Sequence, residues 1–271
     1  MFLLLNVKII LLFYNFLLSL ELITYKIILT DVRIHLFKGL LNKINVKYFK
    51  RRNIMEMKSI NYYYHKYFKW VICAVCLFIF VHISIELSEN ELIFLDNKIY
   101  YTVAGFISYR MTRIFRFITR FGSGEVILPL WIFTLLLFKN KRKIILSTVN
   151  LINIVIINQV FKFLFERPRP TVFRLAEASG FSFPSGHSMV SLAFYGFFLY
   201  LLWKTDYTDV LKWIGSVVII SLIVLIGISR IYLGVHFSSD VLAGFSLSLA
   251  YLIIFTHFVE KFIYERNKLS T

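Results

Sequence analysis

The sequence predicts an all-α membrane protein, a polytopic bundle of six helices. Three observations predict it. Of the 271 residues, 58% are hydrophobic and only 17% are charged, against about 45–50% and about 25% in ordinary globular domains. Apolar runs approaching the roughly 20 residues that cross a bilayer recur along the chain. These runs are too long for strands and lack the strict alternation of a barrel. Two Cys, four Pro and eleven Gly exclude a disulfide scaffold and a collagen-like chain. The same composition argues against a disordered chain and an ordinary cytosolic enzyme. The formal net charge is +16, from 31 Lys+Arg and 15 Asp+Glu. Those basic residues are scattered between apolar spans, and no soluble region remains for a nucleic-acid fold. The charge is therefore assigned to membrane edges facing anionic lipid, not to nucleic acid.

Residues 1–56 read as an amino-terminal extension outside the functional unit, which is 57–271. Met1–Leu20 is apolar, with one Lys and no small-residue cleavage site, so it does not fit a signal peptide. It reads either as a further apolar helix followed by a basic linker over Lys43–Arg52, or as untranslated leader before a start at Met55 or Met57. The first span of the unit is Trp70–Leu87. Its Cys73 and Cys76 have no companion ligands and read as small apolar helix residues, not a redox or zinc pair. A long segment follows, in which Arg110, Arg113, Arg116 and Arg120 recur at helical spacing among Ile107, Met111, Ile114, Phe117 and Ile118. That pattern suits a basic amphipathic helix at the membrane interface or a solvated helix face, and spacing alone leaves both open.

The second span is Glu125–Phe138, short for a crossing, and the third is Ile144–Phe165. Asn150, Asn153, Asn158 and Gln159 in the third read as amides that bond across helices. The fourth span is Ser188–Trp203, the fifth Trp213–Ser229 and the sixth about Asp240–Val259. Lys139–Lys143 and Lys204–Lys212 join spans two to three and four to five. With Lys58, Lys66 and Lys69 before span one and Lys261, Arg266 and Lys268 after span six, they mark the cytoplasmic side. The opposite side also holds basic residues, which blurs the charge asymmetry.

Three clusters carry chemistry. Lys162 is followed after six residues by Arg169-Pro170; Pro184-Ser185-Gly186-His187 opens span four; Ser229-Arg230 is followed by His236 and then Asp240. Counting crossings places all three on one side of the membrane. Lys162, Arg169 and Arg230 supply positive charge, Arg as a planar fork matched to phosphate oxygens. Ser185 and the Gly186 backbone precede a helix start, where free N–H groups and the helix dipole favour an anion. Asp240, four residues after His236, can hold one imidazole nitrogen and leave the other free as a nucleophile. His187 is then the general acid that protonates the leaving oxygen and later activates water. His35, His65, His82 and His257 lack such company and read as structural.

In these residues the chain resembles the type 2 phosphatidic acid phosphatase (PAP2) superfamily, whose signature K-x6-RP, PSGH and SR-x5-H-x3-D is matched in full within residues 65–260. The resemblance implies a six-helix PAP2/haloperoxidase-like bundle with its active site at the outer face of the cell membrane. It implies phosphate binding by Lys162, Arg169, Ser185, Gly186 and Arg230. It also implies a phosphohistidine on His236, partnered by Asp240, with His187 as acid and with neither metal nor cofactor. The expected substrate is a lipid phosphate or diphosphate: undecaprenyl diphosphate, phosphatidylglycerophosphate or phosphatidate. A soluble phosphomonoester and a lipid transporter are the alternatives; the soluble vanadate haloperoxidases of the superfamily do not suit six spans. Oligomeric state is not legible.

Overall fold

The computed structural model describes residues 49–89, 92–137 and 141–268. Nearly all of the amino-terminal extension lies outside them. Contacts within the chain divide it into residues 1–67 and 68–271, and the second unit holds every element described below from Phe68 onward. The elements are α1 (Phe49–Glu89), α2 (Leu92–Ala104), α3 (Tyr109–Arg120), α4 (Gly124–Leu137), α5 (Lys141–Phe165), α6 (Gly186–Trp203), α7 (Asp209–Tyr232) and α8 (Ser238–Lys268).

Five stretches are long and apolar enough to cross a membrane: Tyr67–Glu89, Lys141–Phe165, Gly186–Trp203, Asp209–Tyr232 and Ser238–Lys261. They contain five of the six expected spans. The sixth, α4, has only 14 residues and reaches about 21 Å at 1.5 Å per residue, less than the ~30 Å hydrocarbon core. Its start is fixed by a turn at Phe121–Ser123, where successive N–H groups bond back to Ile118, Thr119 and Arg120. The charged Lys139–Lys143 joint follows its end. The count of six therefore holds only with one short member.

Helix α6 is the hub and packs against α5, α7 and α8. It buries Met189, Ala193, Phe194 and Phe197; Met189 and Ala193 pack with Ile154 of α5, Phe194 with Ile226 of α7, and the Phe197 ring lies 5.8 Å from that of Phe255 of α8. Small buried residues (Ser188, Ser191, Ala243, Ser248) let these helices approach, the usual solution where lipid offers no hydrophobic drive for helix association. Asn150 Nδ2 donates to Ala193 O at 2.9 Å, and Asn158 Nδ2 to the loop carbonyl of Pro184 at 3.1 Å and to Met189 Sδ at 3.2 Å, so two of the span-three amides do bond to α6. Cys73 and Cys76 are free and buried. His82 lies beside Glu86 at 3.1 Å, and His257 sits edge-on to Trp70 at 5.0 Å.

The segment between α1 and α4 contains two helices. The α2 helix is 13 residues long and carries no charge periodicity of the kind that marks α3 in the sequence. The α3 helix is the basic amphipathic one, with Ser108 Oγ capping its start by accepting from Met111 N at 3.3 Å. It packs on α7 through Phe115, whose ring lies 4.5 Å from that of Tyr232, and through Thr112, whose hydroxyl meets Tyr232 Oη at 3.2 Å. Met111, Ile114 and Phe117 stay exposed. The helix thus presents three faces: one to α7, one basic and one apolar and uncovered, as an interfacial helix does.

Candidate active site

The three motif clusters meet at one end of the bundle: the end of α5, the start of α6, and the link from α7 to α8. After Phe165, Glu166 takes a left-handed conformation (φ 45°) and the chain leaves the helix. The loop to Ser185 then lies over the α7–α8 link, with Leu175 N bonding to Leu233 O at 2.9 Å and Ser185 N to Asp240 O at 3.0 Å.

His236 and Asp240 are fully buried. His236 Nδ1 lies 3.3 Å from Asp240 Oδ2. The carboxylate also accepts the Phe237 N–H at 2.9 Å, the Ser182 hydroxyl, and Arg167 NH1 at 2.5 Å. A buried carboxylate with this many donors stays ionised. It therefore accepts a hydrogen bond from Nδ1–H, which keeps its proton, and leaves the lone pair on Nε2. Burial lowers the His236 pKa to about 4, with Arg230 and Arg169 adding and Asp240 opposing. The imidazole is neutral at pH 7, the form a nucleophile needs.

Arg169 NH1 lies 3.0 Å from His236 Nε2. The guanidinium is held in place by carbonyls of Gly180 (2.9 Å), Val235 (2.8 Å), Ser179 (3.0 Å) and Phe181 (3.1 Å). Burial lowers its pKa, Asp240 opposes and neighbouring Arg174 adds; a guanidinium remains charged throughout. Lys162 Nζ donates to the same Phe181 carbonyl at 2.9 Å. Arg169 thus lies beside His236 Nε2, and Lys162 shares a carbonyl with it. For Nε2 to attack phosphorus, Arg169 NH1 must release its lone pair and turn to the phosphate oxygens.

His187 and Arg230 lie in the walls of an adjoining cleft of about 620 Å³. Lys162, Arg169, Ser185, Gly186 and His236 are not among its walls. Arg230 NH1 donates to Thr119 Oγ1 of α3 at 2.6 Å, and its buried Nε has no partner among the described residues. Ser185 is fully buried and caps α6, its Oγ meeting Ser188 N at 3.4 Å and Ser188 Oγ at 2.9 Å. Its hydroxyl is spent on the helix start, whose first N–H groups remain for an anion. A Cβ on Gly186 would lie 3.0 Å from Asn158 Oδ1, so glycine permits the close seat of this turn on α5.

Residues 143–264 match the PAP2 superfamily. The crystal structure of a transmembrane PAP2 type phosphatidylglycerolphosphate phosphatase from Bacillus subtilis is 30% identical, with a TM-score of 0.66, covering 70% of this chain and 96% of that one. The chain belongs to the PAP2 superfamily. Among curated relatives, phosphatidylglycerophosphatase B of Bacillus subtilis (strain 168) is 42% identical over 114 residues, 42% of this chain. That match spans only 56% of the relative's length. Undecaprenyl-diphosphatase of Sulfolobus acidocaldarius is 28% identical over 192 residues, 67% of this chain and 86% of the relative. This PAP2 protein is accordingly a multi-pass membrane protein.

Two residues that support this PAP2 site, Arg167 and Asp96, are not singled out by the sequence motifs. Arg167 is buried between two carboxylates, donating NH2 to Asp96 Oδ2 at 2.7 Å and NH1 to Asp240 at 2.5 Å. Its guanidinium also lies 4.2 Å from the Phe237 ring. Asp96, on α2, accepts further bonds from Ser238 Oγ (2.7 Å), Ser239 N (2.9 Å) and Ser239 Oγ (2.5 Å), and so caps α8 from outside. The run Glu166-Arg167-Pro168-Arg169-Pro170 contains two Arg-Pro pairs, and the six-residue spacing selects only the second. For Asp96 the available signal was a lone carboxylate amid the largely apolar run Leu92–Leu95 and Ile99.

Proposed function

We propose that the chain is a membrane phosphatase hydrolysing a lipid phosphate or diphosphate through a phosphohistidine on His236. The observation that carries this reading is the buried His236–Asp240 pair at 3.3 Å with Nε2 facing Arg169. In the first half-reaction Nε2 attacks phosphorus, the P–O bond to the lipid breaks, and His187 gives its proton to the leaving oxygen. In the second, His187 takes a proton from water as the water oxygen attacks the phosphohistidine, and the P–N bond breaks to release phosphate. Lys162, Arg169, Arg230 and the α6 N-terminus hold the charge that grows on the equatorial oxygens. These groups need no metal or cofactor to do so. Residues 57–271 are the catalytic unit in this reading, and the site faces the extracytoplasmic side of the cell membrane. The cations Lys69, Lys204 and Lys212 at the opposite end support that orientation.

The names of the relatives support phosphatidylglycerophosphate and undecaprenyl diphosphate as substrates, with phosphatidate as the third member of the panel. The test is phosphate release from these lipids in detergent with EDTA present. Wild type is expected to release phosphate from at least one, and H236A to lose at least about a thousandfold in kcat, as removal of a covalent nucleophile does. Undiminished turnover in H236A, or no release from any lipid, overturns the reading.

A further inference from the structure

The cleft beside His187 is larger than one phosphate requires; about 620 Å³ is the size of a site for a whole polar head group. Its inner wall is Arg230, part of the PAP2 signature. Its outer walls include Arg116 and Arg120 of α3 and Arg174 of the α5–α6 loop, which belong to no part of that signature. Arg116 is committed, donating to Leu175 O at 2.7 Å and so pinning the loop to α3. The Arg120 and Arg174 side chains make no hydrogen bond or ion pair among the described residues. Two carboxylates, Glu125 and Glu177, share the cleft, and neither pairs with an arginine there. Four arginines thus face two glutamates, and two of the guanidiniums keep their donors free.

The arginines are also continuous with the phosphate site. Arg174 lies close enough to Arg169 for its charge to act on it. Arg120 follows directly on Thr119, which holds Arg230. The basic stripe of α3 is therefore divided: Arg116 and Arg120 turn into the cleft, while Arg113 lies over the Tyr109 ring at 5.9 Å. An interfacial helix that only anchored to lipid would have no reason to place two of its four arginines around the general acid.

We propose that Arg120 and Arg174 form a second anion subsite that holds a second phosphate of the substrate while the scissile one lies between His236, Arg169 and Arg230. The assignment rests on the lipid phosphatase reading and narrows it. The preferred substrate class is a lipid carrying two neighbouring phosphates, either a diphosphate or a terminal monoester beside a phosphodiester. A lone lipid monophosphate fills only the inner site. Arg116 is a positioning residue that fixes the loop bearing Arg174.

The experiment compares wild type, R120Q, R174Q and the double variant, with R110Q as the control on the part of the stripe outside the cleft. Each is assayed on phosphatidate, phosphatidylglycerophosphate and undecaprenyl diphosphate. Loss of a charge-assisted hydrogen bond is expected to raise KM about tenfold or more on two-phosphate lipids. On phosphatidate KM should stay within about twofold under the same principle, with kcat retained throughout and R110Q unchanged. Which of the two double-phosphate lipids responds more identifies whether the outer group is a phosphodiester or the inner phosphate of a diphosphate. An equal loss on phosphatidate, or no change on any lipid, overturns the subsite. A binding arm separates this from failure of the enzymatic reading. A lipid methylenediphosphonate and the monophosphonate with the same tail are titrated against wild type and R120Q/R174Q. Selective weakening of the diphosphonate supports the subsite even where turnover is absent, and equal binding of both probes by wild type refutes it.

Discussion

His236 has its role because each of its nitrogens is held by a different charge. Asp240 accepts from Nδ1–H, Arg169 covers Nε2, and burial keeps the ring neutral with a pKa of about 4. Asp240 in turn depends on Arg167, which also neutralises Asp96. Removing one partner of a buried ion pair typically costs about 3–5 kcal/mol because it strands the other charge. R167M strands two. It is expected to lose at least that much stability, read in detergent as earlier thermal exposure of the buried thiols of Cys73 and Cys76. D96N/R167M should recover part of the loss, since one stranded charge is then gone; no recovery refutes the network. The motif residues were legible because Lys, Arg, His and Asp at the ends of apolar helices are costly without a purpose. Arg167 and Asp96 were not, because their meaning lies in a pairing across 71 positions that no spacing encodes.

At the scale of elements, the turn between α3 and α4 packs against His187, the proposed general acid. Gly122 is buried, and a Cβ there would lie 2.6 Å from Ile226 Cγ2 and 3.2 Å from His187 Cδ2. G122A is therefore expected to displace either the turn or His187. A shift approaching 1 Å at a reacting group costs up to about a hundredfold in rate, so kcat should fall by at least about tenfold on every substrate. G124A is the comparison, because a Cβ at Gly124 meets nothing within 4 Å; its kcat should match wild type. Equal kcat in G122A would show that the turn does not seat His187. The long spans were readable from hydropathy, and α3 from its arginine spacing. The α2 helix was not, since its 13 residues are too few to cross a bilayer and lack the arginine spacing of α3. What fixes it is Asp96, which docks it on the first turn of α8.

At the scale of the molecule, the site end and the far end carry different chemistry. At the far end Glu260 of α8 meets Lys69 of α1 at 3.6 Å and Lys204 beyond α6 at 2.7 Å. The site end holds the cleft and the loop over it. The orientation proposed above is tested with single thiols on an otherwise unreactive chain, because Cys73 and Cys76 are buried. S179C, on the exposed site loop, should react with a membrane-impermeant maleimide in intact cells. D206C, on the exposed far loop, should react only after the cells are opened, and the reverse pattern would invert the protein. A bilayer presents many groups to the site besides a phosphate ester, and the contact of Arg169 with Nε2 bears on which of them can reach that nitrogen. The Arg169 guanidinium already donates to four neutral carbonyls, and phosphate oxygens are stronger acceptors than either those or a ring nitrogen. In the proposed reaction Nε2 would therefore be uncovered by the phosphate itself, so that part of the discrimination against weaker acceptors is exercised at the reacting atom and not by the shape of a pocket.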